Sequence, residues 1–467
     1  MEGVEQRRQL DRFLEAWNQA NHLLGLDYKK INEQPELVAE VLEAIQNVIG
    51  PKLKSEKSFM DALFILNPLA EYYDSPDTMV AATDVLSKNL GVIEQHVGNI
   101  MDINRQCFLA ANNLISFGSN VEKEAGKHLL ETHIDEIIDG MERGRSYEFI
   151  PFLEKIMTID PEHPNEEAEI KISEYLKEHP RDFRSIAFCL MSSYKPMRDM
   201  GEKTLENRIA EYGLPPTKSV EAWVASTKKF EADLATILYN TLFTLEGIEE
   251  ARPGIARFLY TKFGILDFNR YSPELLIRQY DEYENKELPY GVIFYPRADH
   301  NGAFYQNQQA LSELSQQLQG QFAIRIGEGE SKLDIVRLLR KLNKQYGNAH
   351  KISFAIIGGH GTKDSIQFGN KAGDRYQLHI EDLQDPRVNK QSYFEEHPTL
   401  ILVSCSTGFE GGIGQELSRL LGATVIAPKQ DTNIKKIETQ IDENGVHFGV
   451  EYFEEKSQAV YYAGQKQ

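Results

Sequence analysis

The sequence predicts a protein of two parts, an all-α N-terminal region and a C-terminal α/β region with a mainly parallel sheet. From Val4 to about Tyr283, nearly every segment has apolar residues at helical spacing. From Tyr290 onwards, short apolar runs alternate with helical segments, which is the pattern of βα units. We therefore expect a helical domain over residues 1–285 and an α/β domain over residues 286–467.

The composition fits this division and excludes several classes of function. With 467 residues, the chain is longer than one hydrophobic core normally serves. Its net charge of −20 argues against general binding to nucleic acids or anionic membranes, because both require a positively charged surface. The N-terminus lacks an apolar signal region, and no apolar run is long enough to span a bilayer. We therefore expect a cytoplasmic protein with no nucleic-acid or membrane partner.

Cysteine usage points to the same compartment. The cysteines are Cys107, Cys189 and Cys405, and none of them lies in a CxxC pair. This spacing indicates neither a disulfide framework nor a zinc site, and it suits a reducing environment. Cys107 and Cys189 lie on helical patterns and are expected in the core. No metal and no cofactor is predicted.

The helical region contains a weak internal repeat. The stretch Ser75–Leu86 recurs 44 residues later as Ser119–Leu130. Repeats of about 40–47 residues built from helix pairs are typical of HEAT and armadillo proteins. We predict a short α-solenoid that offers a surface to a regulatory protein partner, while an irregular helical domain would give almost the same pattern. Helical stripes begin near the N-terminus with Leu10, Phe13, Leu14, Trp17, Leu37, Val38, Val41, Leu42 and Ile45.

A connector with one further helix joins the two regions. Ser272 is predicted to cap this helix, and Pro273 occupies its first position, which proline favours. The charged segment Asp281–Glu287 follows and marks the predicted boundary.

The α/β region is predicted to contain alternating strands and helices. Ser331 and Asp334 have the spacing of a capping box at the start of one helix, and Gly422 ends another. Repeated βα units predict parallel strands that are covered on both faces. The predicted strands are Tyr290–Tyr295, Phe322–Ile326, Ile352–Ile357, Thr399–Ser404 and Ala423–Ala427.

Two of these strands lead directly into residues with reactive side chains. One strand is followed by Gly358, Gly359 and His360, and another ends at Ser404, immediately before Cys405. Ligand sites in open α/β sheets lie just beyond the carboxyl ends of the strands. If the two strands are neighbours, they lie roughly 4.8 Å apart, so that the imidazole can reach the thiol.

These motifs resemble the caspase-like (clan CD) cysteine peptidases, and within that group the CHAT and separase-like members. The resemblance rests on Gly359–Gly361 after one apolar strand, on Ile380–Leu383, and on Leu402–Gly408 around the cysteine. It extends from about Leu288 to the C-terminus. It implies a cysteine endopeptidase that hydrolyses peptide bonds in a protein or peptide substrate.

The resemblance also implies roles for single residues. Cys405 would be the nucleophile that forms an acyl-enzyme, and His360 would take the thiol proton and protonate the departing amine. The backbone N–H groups of Gly361 and Cys405 would form the oxyanion hole. Arg297 and Asp299 follow the first strand, where caspase-like enzymes place part of their substrate pocket.

The chain departs from two better-known subgroups of these peptidases. Val403 stands where metacaspases carry an acidic residue, and the Cys405 region lacks the signature of caspases. Neither a preference for basic residues nor one for aspartate is therefore implied, and the residue recognised at the scissile bond stays open.

Three other interpretations compete with a peptidase. Cys405 can be a small buried apolar residue, which is common for cysteine at the end of a strand. The glycine-rich turn around His360 can hold a phosphate, as such turns do before a helix, but Thr362–Ile366 does not resemble the start of a helix. Alternatively, the protein is a non-catalytic helical-repeat scaffold with a degenerate caspase-like domain.

A long polar segment separates the two motifs. Lys371–His397 shows little predicted secondary structure beyond Ile380–Leu383. Loops of this length are usually functional or disordered. Because an unrestrained cytoplasmic protease is hazardous, we expect this loop or the helical domain to limit access to Cys405 until a partner binds or cleavage occurs.

Overall fold

The computed structural model describes the chain from Glu56 to Gln467 with short gaps, and before that Ala39, Leu42 and Glu43. The helical stripes predicted for the N-terminus lie outside the described residues, except for Leu42, which is buried. No helix in the part of the chain that the structure describes could cross a membrane. The gaps are residues 72–74, 99, 161–163, 226–233, 300–302, 348, 370, 385–392, 444 and 455–456.

The chain divides into two compact units, Met1–Gly201 and Glu202–Gln467. The described part of the first unit is helical, as predicted. A π-helical turn, Met141–Arg145, joins two of its helices. The helices are α1 (Glu56–Ala70), α2 (Pro76–Lys88), α3 (Leu90–Glu94), α4 (Met101–Phe117), α5 (Asn120–Thr132), α6 (Ile134–Gly140), α7 (Ser146–Ile159), α8 (Glu166–Glu178), α9 (Phe183–Met191) and α10 (Lys195–Glu211), which crosses the division.

The sequence repeat corresponds to a recurring helix. Ser75 is the N-cap of α2 and Ser119 is the N-cap of α5, and each helix has 13 residues. Ser119 forms the full capping box with Glu122. The stacking of helix pairs that defines HEAT and armadillo proteins remains a prediction.

The second unit begins with helices and continues into the sheet. Its first helices after α10 are α11 (Pro216–Ala225), α12 (Leu234–Ala251), α13 (Ile255–Phe263) and α14 (Pro273–Asp281). The Ser272 side chain caps α14 by accepting the N–H of Leu275, as predicted. Because these helices belong to the same compact unit as the sheet, the boundary expected at residue 285 lies inside this unit.

A seven-stranded sheet in the order β12-β11-β8-β7-β3-β1-β2 forms the centre of the second unit. Strands β1, β2, β3, β7 and β8 are parallel, whereas β11, near one edge, pairs antiparallel with both β8 and β12. The sheet strands are β1 (Tyr290–Pro296), β2 (Ala323–Gly329), β3 (Ile352–Gly358), β7 (Phe394–Val403), β8 (Thr424–Pro428), β11 (Gln458–Tyr462) and β12 (Gln465–Lys466).

The five predicted strands coincide with the five parallel strands. The helices between them are α15 (Gln308–Gln317), α16 (Lys332–Tyr346), α17 (Ile380–Gln384) and α18 (Ile413–Leu421). Ser331 and Asp334 form the predicted capping box of α16. Gly422 ends α18 in the left-handed conformation, with φ 62°, which glycine adopts without strain.

Two smaller sheets flank the central one and were not predicted. One contains β4 (His360–Gly361), β5 (Ser365–Gln367) and β6 (Gln377–His379). The other is a hairpin of β9 (Ile434–Asp442) and β10 (Gly445–Tyr452). Phe448 of the hairpin packs on Phe354 of β3, with 4.9 Å between the ring centroids.

Helix α14 is fastened to the edge strand β2. The Gln279 side chain donates to the carbonyl of Ile326 at 3.0 Å and accepts the N–H of the same residue at 2.8 Å. Arg278 donates to the carbonyl of Phe322 at 2.6 Å. Side chains of α14 therefore form hydrogen bonds with backbone groups that an edge strand otherwise exposes. These bonds explain why this helix belongs to the same compact unit as the sheet.

Candidate active site

Strands β3 and β7 are parallel neighbours, as the sequence analysis required for a Cys/His pair. Gly358 at the end of β3 lies opposite Val403 at the end of β7. The N–H of Gly359 donates to the carbonyl of Val403 at 3.2 Å. His360 and Cys405 therefore follow adjacent strands at the same edge of the sheet.

The backbone of Gly361 lies directly against that of Cys405. A Cβ atom on Gly361 would be 2.2 Å from the carbonyl oxygen of Cys405, so only glycine fits. On the other side, β4 pairs with β5, and Thr362 N–H donates to the carbonyl of Ser365 at 2.9 Å. Because hydrogen-bonded and non-hydrogen-bonded pairs alternate in such ladders, the N–H of Gly361 points away from β5.

A tight turn places Cys405 at a corner just after β7. The carbonyl of Ser404 accepts the side-chain hydroxyl of Thr407 at 2.7 Å, which closes the turn. Ser406, inside the turn, has φ 61°, a left-handed conformation that is unfavourable for residues with a Cβ. Such strain is found preferentially at functional sites. Cys405 is partly exposed there.

Asp299 supports His360. Its Oδ1 lies 3.5 Å from Nε2 of His360, and its Oδ2 accepts the N–H of Phe304 at 2.8 Å. Burial alone would raise the pKa of Asp299, but the hydrogen bond with His360, the positive charge of Arg270 and the Phe304 N–H together hold this pKa below its usual value. The carboxylate therefore stays ionised beside the imidazole.

Asp299 was expected to bind substrate, but its side chain is buried next to His360. The Asp299 side chain has 0% exposure, so it faces His360 rather than open solvent. Sequence reasoning found the residue and its edge of the sheet but not its partner. No acidic partner could be selected by spacing, because β1 and β3 are separated by β2 and two helices along the chain.

The Cys405 thiol has a raised pKa. Burial is the main cause, and the Asp431 carboxylate, which accepts a hydrogen bond from the thiol, adds to it, while the N–H of Thr432 opposes it. Cys107 and Cys189 are buried in the helical unit, as predicted, and burial raises each of their pKa values to about 12. Sequence reasoning did not identify Asp431, which follows β8.

An open cavity of about 440 Å³ adjoins the Cys405 turn. Ser406 in that turn and Phe409, which precedes α18, line one part of it. The other lining residues are Lys429–Asp431 and Glu454. Its lining combines an aromatic ring with one basic and two acidic side chains.

Arg297 borders a second cavity, of about 280 Å³, together with Ala298 and Phe368. Its guanidinium lies 3.1 Å from the Glu330 carboxylate, so part of its charge is compensated inside the protein. Its expected contact with substrate remains a prediction.

The segment between the two motifs has more structure than expected. Lys371–His397 includes the turn Asp374–Tyr376, β6, α17 and the first residues of β7. Ile380–Leu383, the part of the segment for which secondary structure was expected, lies in α17. Residues 385–392 lie outside the described part of the chain. Restriction of access to Cys405 by this segment remains a prediction.

Comparison with known proteins yields a family match for part of this unit. Residues 334–445 match a domain of unknown function, DUF8616. The matched range contains His360 and Cys405 but not Asp299. No curated protein and no solved structure matches the chain. None of these comparisons identifies a caspase-like or CHAT domain.

Proposed function

We propose that this protein is a caspase-like cysteine endopeptidase in which Cys405 is the nucleophile and His360 is the general base and acid. The observation that carries this proposal is the adjacency of β3 and β7, which sets the His360 and Cys405 loops side by side. The buried, ionised Asp299 next to His360 supports it further, because a carboxylate orients the imidazole of such pairs.

The chemistry follows from these positions. His360 would take the thiol proton as Cys405 Sγ bonds to the scissile carbonyl carbon, and it would pass that proton to the leaving amine as the C–N bond breaks. Water then hydrolyses the thioester. With Asp299 at Nε2, the opposite ring nitrogen, Nδ1, would exchange this proton. The N–H groups of Gly361 and Cys405 are the proposed donors to the oxyanion.

Cleavage of a mixed peptide library by the full-length protein tests the proposal. We expect wild type, Cys107→Ala and Cys189→Ala to cleave, and Cys405→Ala and His360→Ala to be inactive. Asp299→Asn should retain a small fraction of the activity, since the dyad remains but its orientation is lost. The cleaved sequences would identify the preferred residue. Cleavage that persists in Cys405→Ala would refute the assignment.

A non-catalytic scaffold is the second candidate function. The raised pKa of Cys405 favours it, because a protonated thiol is a poor nucleophile. In that case the helical unit would bind a partner protein and the α/β unit would contribute structure alone. A lack of cleavage by wild type with reductant or calcium present, combined with normal cellular function of Cys405→Ala, would establish this alternative.

A further inference from the structure

A buried charged cluster lies next to the Asp299 loop. It contains Arg270 and Asp267, from the segment between α13 and α14, and Glu328 near the end of β2. The Arg270 and Asp267 side chains have 0% exposure. Arg270 Nε lies 3.0 Å from Asp267 Oδ2, and Nη1 lies 3.8 Å from Glu328 Oε1. A guanidinium without water contact needs such partners, because nothing else replaces the hydration that it loses on burial.

Arg270 holds the chain just before Asp299. Its Nη1 donates to the carbonyl of Pro296, the last residue of β1, and its Nη2 donates to the carbonyl of Arg297 at 3.1 Å. Asp299 is two residues further along the chain. The guanidinium therefore fixes the direction in which the backbone leaves β1.

Asp267 contacts Tyr305, which follows Asp299 in the chain. The hydroxyl of Tyr305 donates to Asp267 Oδ2, and the ring of Tyr305 lies 5.5 Å from the guanidinium carbon of Arg270. The residue before it, Phe304, gives its N–H to the Asp299 carboxylate. The Asp267–Arg270 pair thus contacts the backbone before Asp299 and the Tyr305 side chain after it.

We propose that Arg270 and Asp267 are positioning residues, which hold Asp299 where its Oδ1 meets Nε2 of His360 and thereby decide which ring nitrogen of His360 carries the proton. Both lie outside the region that resembles caspase-like peptidases and outside the matched domain family. The catalytic consequence rests on the proposed function, whereas the orientation of His360 does not.

Histidine-ring proton–nitrogen NMR of the full-length protein tests the proposal, with the His360 signals assigned by their loss in His360→Gln. Tyr305→Phe removes the hydroxyl that binds Asp267 and keeps the ring. Tyr271→Phe is the matched control, because it removes a buried hydroxyl that donates to Glu328 at 3.0 Å instead. Arg270→Lys keeps the positive charge but shortens the side chain and removes the guanidinium, which donates to the carbonyls of Pro296 and Arg297.

We expect one tautomer of His360, with the proton on Nε2, in wild type and in Tyr271→Phe. A mixture is expected in Tyr305→Phe and Arg270→Lys. Asp299→Asn gives the reference for lost orientation: its amide oxygen must accept the Phe304 N–H, so its NH₂ group faces His360 and the proton moves to Nδ1. If peptide cleavage is observed, kcat should fall about tenfold to hundredfold in Tyr305→Phe with little change in KM.

The wild-type tautomer in a folded Tyr305→Phe protein would overturn the proposal, and so would an equal change in Tyr271→Phe. If Arg270→Lys does not fold, Tyr305→Phe alone decides. If no variant and no wild-type sample cleaves peptides, the proposed function fails, while the tautomer comparison still tests the positioning role.

Discussion

At the scale of single residues, the thiol of Cys405 differs from the other thiols in exposure as well as in surroundings. Cys107 and Cys189 are completely buried, whereas Cys405 is partly exposed. Selective alkylation of Cys405 would therefore follow from access alone. The pH dependence of its alkylation is the more informative measurement, because it reports the thiolate fraction.

Asp431→Asn should lower the pKa of Cys405, because the carboxylate stabilises the protonated thiol. We expect iodoacetamide to alkylate Cys405 about threefold to tenfold faster near pH 7 in this variant, since one pKa unit changes the thiolate fraction tenfold. Glu454→Gln is the control, as it removes another carboxylate from the same cavity. Equal alkylation profiles in wild type and Asp431→Asn would contradict the prediction.

At the scale of elements, β2 carries a buried glutamate that joins the sheet to the segment before α14. Oε2 of Glu328 accepts the N–H of Leu266 at 2.8 Å, and Oε1 accepts the hydroxyl of Tyr271 at 3.0 Å. Burial raises the pKa of Glu328 to about 7; Arg270 opposes this shift and Asp267 adds to it.

Glu328 should make the free energy of unfolding depend on pH. Between its ordinary pKa of 4.5 and about 7, the folded chain holds a proton that the unfolded chain has released. Stability is therefore lost as the pH rises through this range, by up to about 3 kcal/mol for this group. Urea unfolding at about pH 5 and about pH 8 measures the loss. We expect Glu328→Gln to be less pH-dependent than wild type; an identical dependence would show that Glu328 titrates normally.

At the scale of the whole molecule, the compact unit that contains the site starts well before its sheet. The Arg270 contacts to Pro296 and Arg297, and the Gln279 contacts to Ile326, all connect residues before 286 to the sheet. A chain cut at the predicted boundary would lose these partners and leave the edge of β2 uncovered.

We therefore expect a chain that starts at Lys195 to fold and a chain that starts at 286 to fail. The first keeps α10 and all of the second unit, whereas the second lacks Arg270, α14 and the partners of Glu328. Thermal unfolding followed by circular dichroism would show a cooperative transition for the first chain only. A cooperative transition in the shorter chain would mean that the helices before 286 are dispensable for the fold of the sheet.

The sequence by itself determined the features that depend on near neighbours along the chain. The five parallel strands were visible as apolar runs because strands buried on both faces are apolar throughout. The caps at Ser272 and Ser331 and the C-cap at Gly422 were visible because capping depends on residues within one turn. The β9–β10 hairpin was missed: in β9 the fully buried residues are Ile434 and Ile437, three positions apart, which is not the alternation of a strand.

Only the tertiary structure decided the partners of the reactive residues. Asp299 meets His360, Asp431 meets the Cys405 thiol, and Arg270 meets the end of β1, and each contact joins distant parts of the chain. Such contacts depend on the order of strands in the sheet, and apolar periodicity does not encode which strand lies beside which. The sequence could therefore identify Cys405 and His360 as reactive side chains at strand ends, but the carboxylates that tune them became visible only where the folded chain brought them together.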